Sequence, residues 1–307
     1  MNDITKNSIL PEVDNFKSGY VSIIGNPNVG KSTLLNSLMG MKLAIVTPKP
    51  QTTRNRITGI LTTDNYQIIF IDTPGVLEPK YKLQERMVKT AFLATDDADL
   101  ILYMLDATNV DTELEKRILV HLSESNAKTF LLINKIDLVD KRSLLPLIDM
   151  YKDKFDFEEI HPISALQGDG LSELIGLIVQ YLPQGPIYYP PDQVSESNER
   201  FFVAEIIREK VFLRTKQEIP YASSVLIEQF KERDKGKTYI QATIFVERDS
   251  QKGILIGKRG RSIKTIGQDA RREIEEFIGN PVYLDLRVAV KENWSDNERE
   301  LKELGYF

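Results

Sequence analysis

The sequence predicts an α/β chain of two domains, in which a doubly wound, mostly parallel sheet is followed by a smaller α+β domain. Three observations predict this. A glycine-rich turn stands between a strand-like run and a helical pattern near residue 25, and apolar runs then alternate with helical patterns up to residue 182. A proline-rich stretch without periodicity follows. We therefore predict a first domain at 1–183, a linker at 184–198 and a second domain at 199–307.

The composition restricts the class of protein. A chain of 307 residues can form two cores, and its net charge of −5 gives no overall sign of nucleic-acid binding, which would need a local basic patch. The chain has no cysteine, which excludes disulfides and cysteine-based zinc sites. The polar start has no signal-peptide core, and no apolar stretch is long enough to cross a bilayer. We expect a cytoplasmic protein.

The segment from Gly25 to Ser32, the phosphate loop, fits the pattern G-x-x-x-x-G-K-[ST]. In this pattern backbone N–H groups surround a phosphate chain at the positive end of a helix dipole. Lys31 would reach the terminal phosphates, and Ser32 would ligate Mg²⁺. The alternative is a chance glycine-rich turn, which would not require a strand before it and a helix after it.

A polar stretch at residues 42–56, the 42–56 loop, cannot continue the helix and offers the hydroxyls of Thr52 and Thr53. Two strand-like runs follow at 57–61 and 66–71. The turn residues between them predict a hairpin within the sheet. Later strand-like runs and helical patterns alternate at 83–94 (helix), 100–105 (strand), 113–122 (helix), 129–133 (strand), 144–151 (helix) and 160–163 (strand).

Polar motifs follow three of these strands, at the edge where parallel sheets bind ligands. Asp72-Thr-Pro-Gly75 offers a carboxylate that can hold Mg²⁺ through water and a free N–H for a γ-phosphate. Asn134-Lys-Ile-Asp137 and Ser164-Ala-Leu166 follow the fifth and sixth strands. The Asp137 carboxylate can accept two hydrogen bonds from the guanine edge, and adenine would leave it unpaired. A simple helix cap after a strand is the alternative for Asn134 and Asp137.

The second half reads as helix 198–213, strands 222–230 and 237–247, a G-x-x-G turn, helix 267–278 and strand 282–290. The turn, which we call the GKRG loop, comprises residues 257–260 and stands between two helical segments. Residues 252–272 contain one acidic residue, Asp269, and seven basic residues: Lys252, Lys258, Arg259, Arg261, Lys264, Arg271 and Arg272. Glycines allow close approach of a nucleic-acid backbone and the cations meet its phosphates, although an isolated G-x-x-G can also be a plain helix–turn–helix joint.

The motifs of the first half resemble the five signature elements of translation-factor-type P-loop GTPases. The resemblance implies that GTP or GDP is bound by Gly25, Asn26, Pro27, Asn28, Val29, Gly30, Lys31, Ser32, Thr33, Asp72, Thr73, Pro74, Gly75, Asn134, Lys135, Asp137, Ser164 and Ala165. It implies Mg²⁺ at Ser32, Asp72 and Thr53, with Thr52 as the alternative threonine. Catalytic roles would belong to Lys31, Thr53, Gly75 and Asn28.

One position departs from Ras-like GTPases, because Val76 stands where they have a glutamine that orients the attacking water. Related GTPases with a hydrophobic residue there use the asparagine equivalent to Asn28 to help bind K⁺. The resemblance therefore implies either K⁺ or a group supplied by a partner, and it leaves Arg54 and Arg56 open as catalytic cations. Slow intrinsic turnover is expected.

The second half resembles a type II-like KH domain, which implies RNA contacts by Lys252, Gly257, Lys258, Arg259, Gly260, Arg261 and Lys264. Ile254, Ile256 and Ile263 would line a groove for bases or pack in the core. A final amphipathic helix at 296–304 is expected to pack on this domain. Lys42, Lys49, Arg54 and Arg56 would meet RNA or lie in a solvated loop.

The complete arrangement resembles the bacterial Era GTPases. The resemblance implies a monomeric switch that binds the 3′ end of small-subunit (16S) ribosomal RNA and assists maturation of the small ribosomal subunit. It also implies peripheral association with the cytoplasmic face of the inner membrane. The alternative is a nucleotide-gated RNA-binding scaffold in which hydrolysis is incidental; a role in RNA modification lacks a second catalytic cluster.

Overall fold

A computed structural model describes residues 15–109, 112–232 and 236–306. The polar start of the chain and the middle of the charged turn at 231–236 lie outside the described residues. Within them, no helix has the length and apolar character needed to cross a membrane. The elements of the first half are β1 Lys17–Gly25, α1 Lys31–Met39, β2 Ile57–Thr62, β3 Tyr66–Asp72, α2 Lys82–Asp96, β4 Leu100–Asp106, α3 Thr112–Glu124, β5 Lys128–Asn134, α4 Leu144–Lys152, β6 Glu159–Pro162 and α5 Leu171–Tyr181.

The first half forms a six-stranded sheet with the order β2-β3-β1-β4-β5-β6. All neighbouring pairs are parallel except β2 and β3, which form the predicted antiparallel hairpin. Apolar side chains cover both faces: Val21 and Ile23 belong to one core cluster, and Ile24 and Ile101 belong to the other. Burial on both faces explains why these strands read as continuous apolar runs. The predicted doubly wound fold is confirmed.

The second half contains α6 Glu199–Arg214, β7 Ser224–Lys231, β8 Thr238–Val246, α7 Asp249–Ile256, α8 Arg261–Ile278, β9 Val282–Val290 and α9 Glu298–Glu303. The sheet order is β7-β8-β9, with β7 antiparallel and β9 parallel to β8. Helices α6, α7 and α8 share one core with the sheet. The predicted start of α8 at residue 267 was wrong: Ile263, Ile266, Ala270 and Ile274 lie at helical spacing toward that core, so the helix begins at Arg261.

The segment 184–198 lies against the β2–β3 hairpin. The buried carboxamide of Gln67 accepts hydrogen bonds from the backbone N–H groups of Tyr188 and Tyr189 (2.8 and 3.0 Å) and donates to the Tyr189 carbonyl (2.8 Å). Further along, the Ile60 N–H donates to the Val194 carbonyl at 2.9 Å. The segment therefore covers the outer edge of β2, which would otherwise be an open sheet edge.

The C-terminal residues join the two halves. Trp294, Leu301 and Tyr306 form a buried cluster with Leu83 and Met87 of α2. Leu226 of β7 and Phe245 of β8 pack against the same cluster. The final helix therefore packs on the second domain, as expected, and it also contacts α2 of the first domain.

Candidate functional site

The phosphate loop holds a buried lysine with backbone oxygens as its partners. Lys31 Nζ donates to the Gly25 and Asn26 carbonyls at 3.0 and 2.8 Å. Burial lowers the pKa of Lys31 to about 8, against the opposing attraction of Asp72. Gly30 has φ 105°, and a Cβ there would lie 2.3 Å from Asn134 Nδ2, so only glycine fits this turn. The loop therefore presents a cation and the N-terminus of α1 to an anionic ligand.

Three oxygen donors meet beside Lys31. Ser32 Oγ lies 2.6 Å from Asp72 Oδ2 and 2.7 Å from Thr53 Oγ1, while Asp72 Oδ1 is buried with no hydrogen-bond partner among the described residues. Hydroxyl and carboxylate oxygens suit Mg²⁺, so Ser32, Thr53 and Asp72 fit the ion. The Thr52 hydroxyl instead bonds the Lys49 carbonyl at 2.7 Å, which favours Thr53 as the ligand.

Burial raises the pKa of Asp72 to about 6, despite the Ser32 hydrogen bond and the charge of Lys31. The folded, nucleotide-free protein thus holds this proton more tightly than the unfolded chain, so Asp72 makes stability fall as pH rises from about 4 to about 6. We expect Asp72→Asn to stabilise the nucleotide-free protein by about 2–3 kcal/mol at pH 7.5, and by much less at pH 4.5. Thermal denaturation at both pH values checks this.

The exposed Asp64 gives a matched control, because Asp64→Asn makes the same chemical change outside the site. We expect that variant to have the thermal stability of the wild type at pH 7.5. Lower stability of Asp72→Asn at pH 7.5 would contradict the prediction.

The segment after β3 packs on the phosphate loop. A Cβ at Gly75 would lie 2.7 Å from the Cα of Pro27, and the Val76 N–H donates to the Gly25 carbonyl at 3.1 Å. The Val76 side chain is completely buried in the core. A cavity of about 430 Å³ opens between the phosphate loop and the 42–56 loop, lined also by Gly75 and Lys135. Residue 76 therefore contributes no side chain to the cavity.

Asn134 joins three of the predicted motifs. Its Nδ2 donates to the Val29 carbonyl at 2.7 Å, and its Oδ1 accepts from the Ala165 N–H at 2.9 Å. Asp137 is exposed, and its Oδ1 accepts from the Ser164 hydroxyl at 2.6 Å. The structure thus brings the phosphate loop, 134–137 and 164–166 together, as a guanine site requires.

Asp106 is a residue that the sequence reasoning missed. It ends β4, and its Oδ2 lies 2.5 Å from Lys135 Nζ, which fixes the lysine at the cavity. The available signal was an acidic residue at the carboxyl end of a buried strand, the same signal that identified Asp72.

Three of the four cations of the 42–56 loop contact the second domain: Lys42, Lys49 and Arg54. Lys42 pairs with Glu209 of α6 and Glu273 of α8 at 2.7 and 2.6 Å. Lys49 Nζ donates to the Phe212 and Thr215 carbonyls. These two lysines therefore lie in a domain interface rather than in a freely solvated loop, and an RNA contact by them stays a prediction. The exposed Arg56 agrees with the solvated-loop alternative.

Arg54 is the most deeply inserted of these cations, with 3% of its surface exposed. It follows Thr53 directly, yet its guanidinium points away from the phosphate loop. The group donates to the carbonyls of Ser223 (2.7 Å), Pro220 (3.0 Å) and Tyr221 (2.9 Å) and to Tyr306 Oη (3.3 Å), and it lies beside the rings of Phe212 and Trp294. In the opposite direction, Arg208 of α6 donates a hydrogen bond to the Thr52 carbonyl of the 42–56 loop at 2.5 Å.

The GKRG loop is an exposed turn between α7 and α8. Gly257 and Gly260 have φ 71° and 73°, and a Cβ at Gly257 would lie 2.6 Å from Ser262 Cβ. Within the described chain, the predicted RNA-binding cations are in no ion pair: Lys252, Lys258, Arg259, Arg261 and Lys264. Ile254 is 56% exposed, Ile256 is partly exposed, and Ile263 packs against the core while also lining a cavity between α8 and β9.

Comparison with known proteins agrees with this geometry. A family model described as a 50S ribosome-binding GTPase matches residues 20–135, and a KH-domain model matches residues 218–295. GTPase Era of Geobacter metallireducens is 52% identical over 292 residues, which cover 95% of this chain and 98% of that protein. The chain belongs to the Era family of GTPases. GTPase Era of Syntrophus aciditrophicus is 48% identical over 95% of both chains.

Two solved Era structures share the complete fold. A variant of Aquifex aeolicus Era bound to GDP and AlF4⁻ has a TM-score of 0.91 and 41% identity, covering 95% of this chain and 99% of that one. Era in complex with MgGDPNP and nucleotides 1506–1542 of 16S ribosomal RNA has a TM-score of 0.92 with the same identity and coverage. The predicted GTPase activity and the KH domain are therefore confirmed, while the roles of individual site residues stay predictions.

Proposed function

We propose that this Era GTPase is a molecular switch that binds the single-stranded 3′ end of small-subunit ribosomal RNA and assists assembly of the small ribosomal subunit. The similar Era protein in complex with MgGDPNP and a 16S ribosomal RNA fragment supports the choice of ligand and of Mg²⁺. The unpaired cations around the GKRG loop support the RNA contact, because they would neutralise phosphates. We also propose a cytoplasmic monomer that associates peripherally with the membrane, which rests on family resemblance.

The contact between Arg54 and the KH domain is the observation that carries the switch. Thr53 points to Ser32 at the proposed Mg²⁺ site, and the next residue is buried among Pro220, Tyr221 and Ser223. Because Thr53 and Arg54 are adjacent, a shift of the Thr53 backbone on loss of the γ-phosphate and the metal contact would move Arg54 as well. Nucleotide state and KH-domain position are thereby linked through two adjacent residues.

Hydrolysis would use Lys31 and the N–H groups of the phosphate loop to stabilise the charge that develops on the phosphates, with Gly75 at the γ-phosphate. Mg²⁺ would supply Lewis-acid stabilisation of the same charge. Asn28 lines the cavity, and its Nδ2 donates to the Pro48 carbonyl at 3.3 Å. We propose that Asn28 helps bind K⁺, or that a partner supplies the missing group, since Val76 cannot orient water.

The burial of Val76 also favours a second function, a nucleotide-gated RNA scaffold in which hydrolysis is incidental. The two functions differ in one observable property. A switch releases RNA when its bound GTP is hydrolysed in a single turnover, whereas a scaffold retains it.

Charge reversal at the GKRG loop tests RNA binding. We expect Lys258→Glu with Arg259→Glu to weaken binding of a 3′-end RNA oligonucleotide to the GDPNP-loaded protein at least about tenfold. The slope of the logarithm of the binding constant against the logarithm of the salt concentration should also fall, by an amount that corresponds to about two phosphate contacts. Fluorescence anisotropy at three salt concentrations measures both quantities. The rate of GTP hydrolysis without RNA is expected to stay unchanged.

The matched control is Lys89→Glu with Lys302→Glu, which makes the same charge change at two exposed positions elsewhere. Equal losses in the two double variants would mean that only net charge matters. Unchanged affinity in the GKRG variant would refute the proposed RNA contact.

A further inference from the structure

Tyr283 is the most exposed aromatic side chain in the described ranges, at 59%. It lies on β9, the edge strand that follows β8 in the sheet. Its direct partner across the strands is Tyr239, and the two rings stack with centroids 5.9 Å apart and planes 15° apart. Tyr239 therefore supports the Tyr283 ring by stacking, and the ring remains largely exposed to solvent.

Tyr283 also forms part of the wall of the cavity between α8 and β9, which measures about 400 Å³. Three cations, Lys237, Lys264 and Arg271, and one carboxylate, that of Asp285, line the same cavity, which therefore carries a net positive charge. Lys237 and Lys264 are in no ion pair with any described residue, and Arg271 has a loose contact of 3.8 Å with Glu275. An aromatic face beside cations suits a ligand that has both a flat ring and phosphates.

The middle of α8 leaves this cavity open. Gly267 lines it, and a Cβ at that position would meet only Leu286 Cδ2, at 3.8 Å. A glycine weakens a helix interior, so its presence there needs another reason, and room for a ligand is one. The cavity continues along α8 from the GKRG loop, since Ile263 and Arg271 lie one and three turns into the helix.

We propose that Tyr283, supported by Tyr239, is a stacking platform for one further base of bound single-stranded RNA. The base would leave the groove at the end remote from the GKRG loop, with Lys237 and Arg271 at the adjoining phosphates. This inference rests on the proposed RNA-binding function. Stacking accepts every base, so the platform would add affinity and length to the RNA footprint without adding sequence preference.

The test uses the full chain loaded with GDPNP and RNA oligonucleotides of four to ten nucleotides with the sequence of the 16S 3′ end. In the wild type, affinity is expected to rise once the RNA is long enough to reach Tyr283. Tyr283→Ala should lower the affinity for the longer oligonucleotides about tenfold and leave that for the four-nucleotide RNA unchanged. Tyr283→Phe should retain the wild-type affinity.

Tyr283→Leu separates stacking from folding, because leucine keeps an apolar contact with Tyr239. Its thermal stability should stay near that of the wild type while its affinity for long RNA falls as in Tyr283→Ala. Equal affinities of the wild type, Tyr283→Leu and Tyr283→Ala at every length would overturn the platform alone. Absence of RNA binding by the wild type would overturn the proposed function together with it.

Discussion

Replacing Asp137 with asparagine is expected to change the preferred nucleotide from GDP to XDP, with a loss of GDP affinity of about a thousandfold or more. Guanine presents two donors, N1–H and the exocyclic amine, to the Asp137 carboxylate. An asparagine offers a carbonyl acceptor and an amide NH₂ donor, so its NH₂ group would face the exocyclic amine of guanine, which is also a donor. Xanthine has a carbonyl oxygen at the position of the exocyclic amine, and this oxygen accepts a hydrogen bond from the amide NH₂ group of the asparagine.

The geometry allows this exchange without loss of the fold. Asp137 is exposed on its turn, and one carboxylate oxygen accepts from Ser164 at 2.6 Å, a bond that an amide oxygen can also accept. Titration of fluorescent GDP and XDP derivatives measures both affinities. Asp140→Asn provides the control, since Asp140 lies three residues away and caps the next turn through the Arg142 N–H. Weak binding of both nucleotides to Asp137→Asn would show that the residue does not read the base.

Replacing Arg54 with alanine is expected to uncouple RNA affinity from the bound nucleotide. Coupling free energies of about 1–3 kcal/mol are typical, so the wild type should bind RNA about 5 to 150 times differently in its GDPNP and GDP states. In Arg54→Ala this ratio should approach about one. The truncation leaves the carbonyls of Pro220, Tyr221 and Ser223 without their charged donor, at a cost to the domain interface of about 2–5 kcal/mol.

Arg56→Ala is the matched control, because Arg56 has the same chemistry two positions away and is exposed. RNA titrations of both variants in both nucleotide states measure the ratio directly. GDP affinity should be unchanged in each, since neither side chain faces the cavity. A ratio in Arg54→Ala as large as that of the wild type would place the coupling outside this contact.

The nucleotide site could be predicted from the sequence because its residues lie in short continuous motifs. Each motif, such as 25–32 or 134–137, combines a strand end with a fixed residue type, and parallel strands bring their carboxyl ends to one edge. The glycine at position 30 and the carboxylate at position 72 are required by local geometry, so their roles are visible without knowledge of distant contacts.

The domain interface could not be predicted in this way. Arg54 and Lys49 bond to backbone carbonyls more than 160 residues away, and a carbonyl has no sequence signature. A basic loop beside a phosphate site looks the same whether its cations meet solvent, RNA or another domain. The start of α8 was missed for a related reason, because its first turn is dominated by basic residues and its apolar face is visible only against the core.

The hydrogen bonds of Gln67 shorten the flexible connection between the two domains. In a flexible linker of 15 residues, the length of 184–198, the ends would lie about 20 Å apart on average. Such a linker would let the KH domain reorient independently of the first domain. This segment is instead tied to the hairpin up to Ser195, whose hydroxyl donates to the Thr58 carbonyl, and Asn198 caps α6 three residues later. In the proposed switch, the covalent connection that can bend is therefore limited to the two or three residues before α6, so the KH domain would rotate about that point rather than diffuse on a flexible tether.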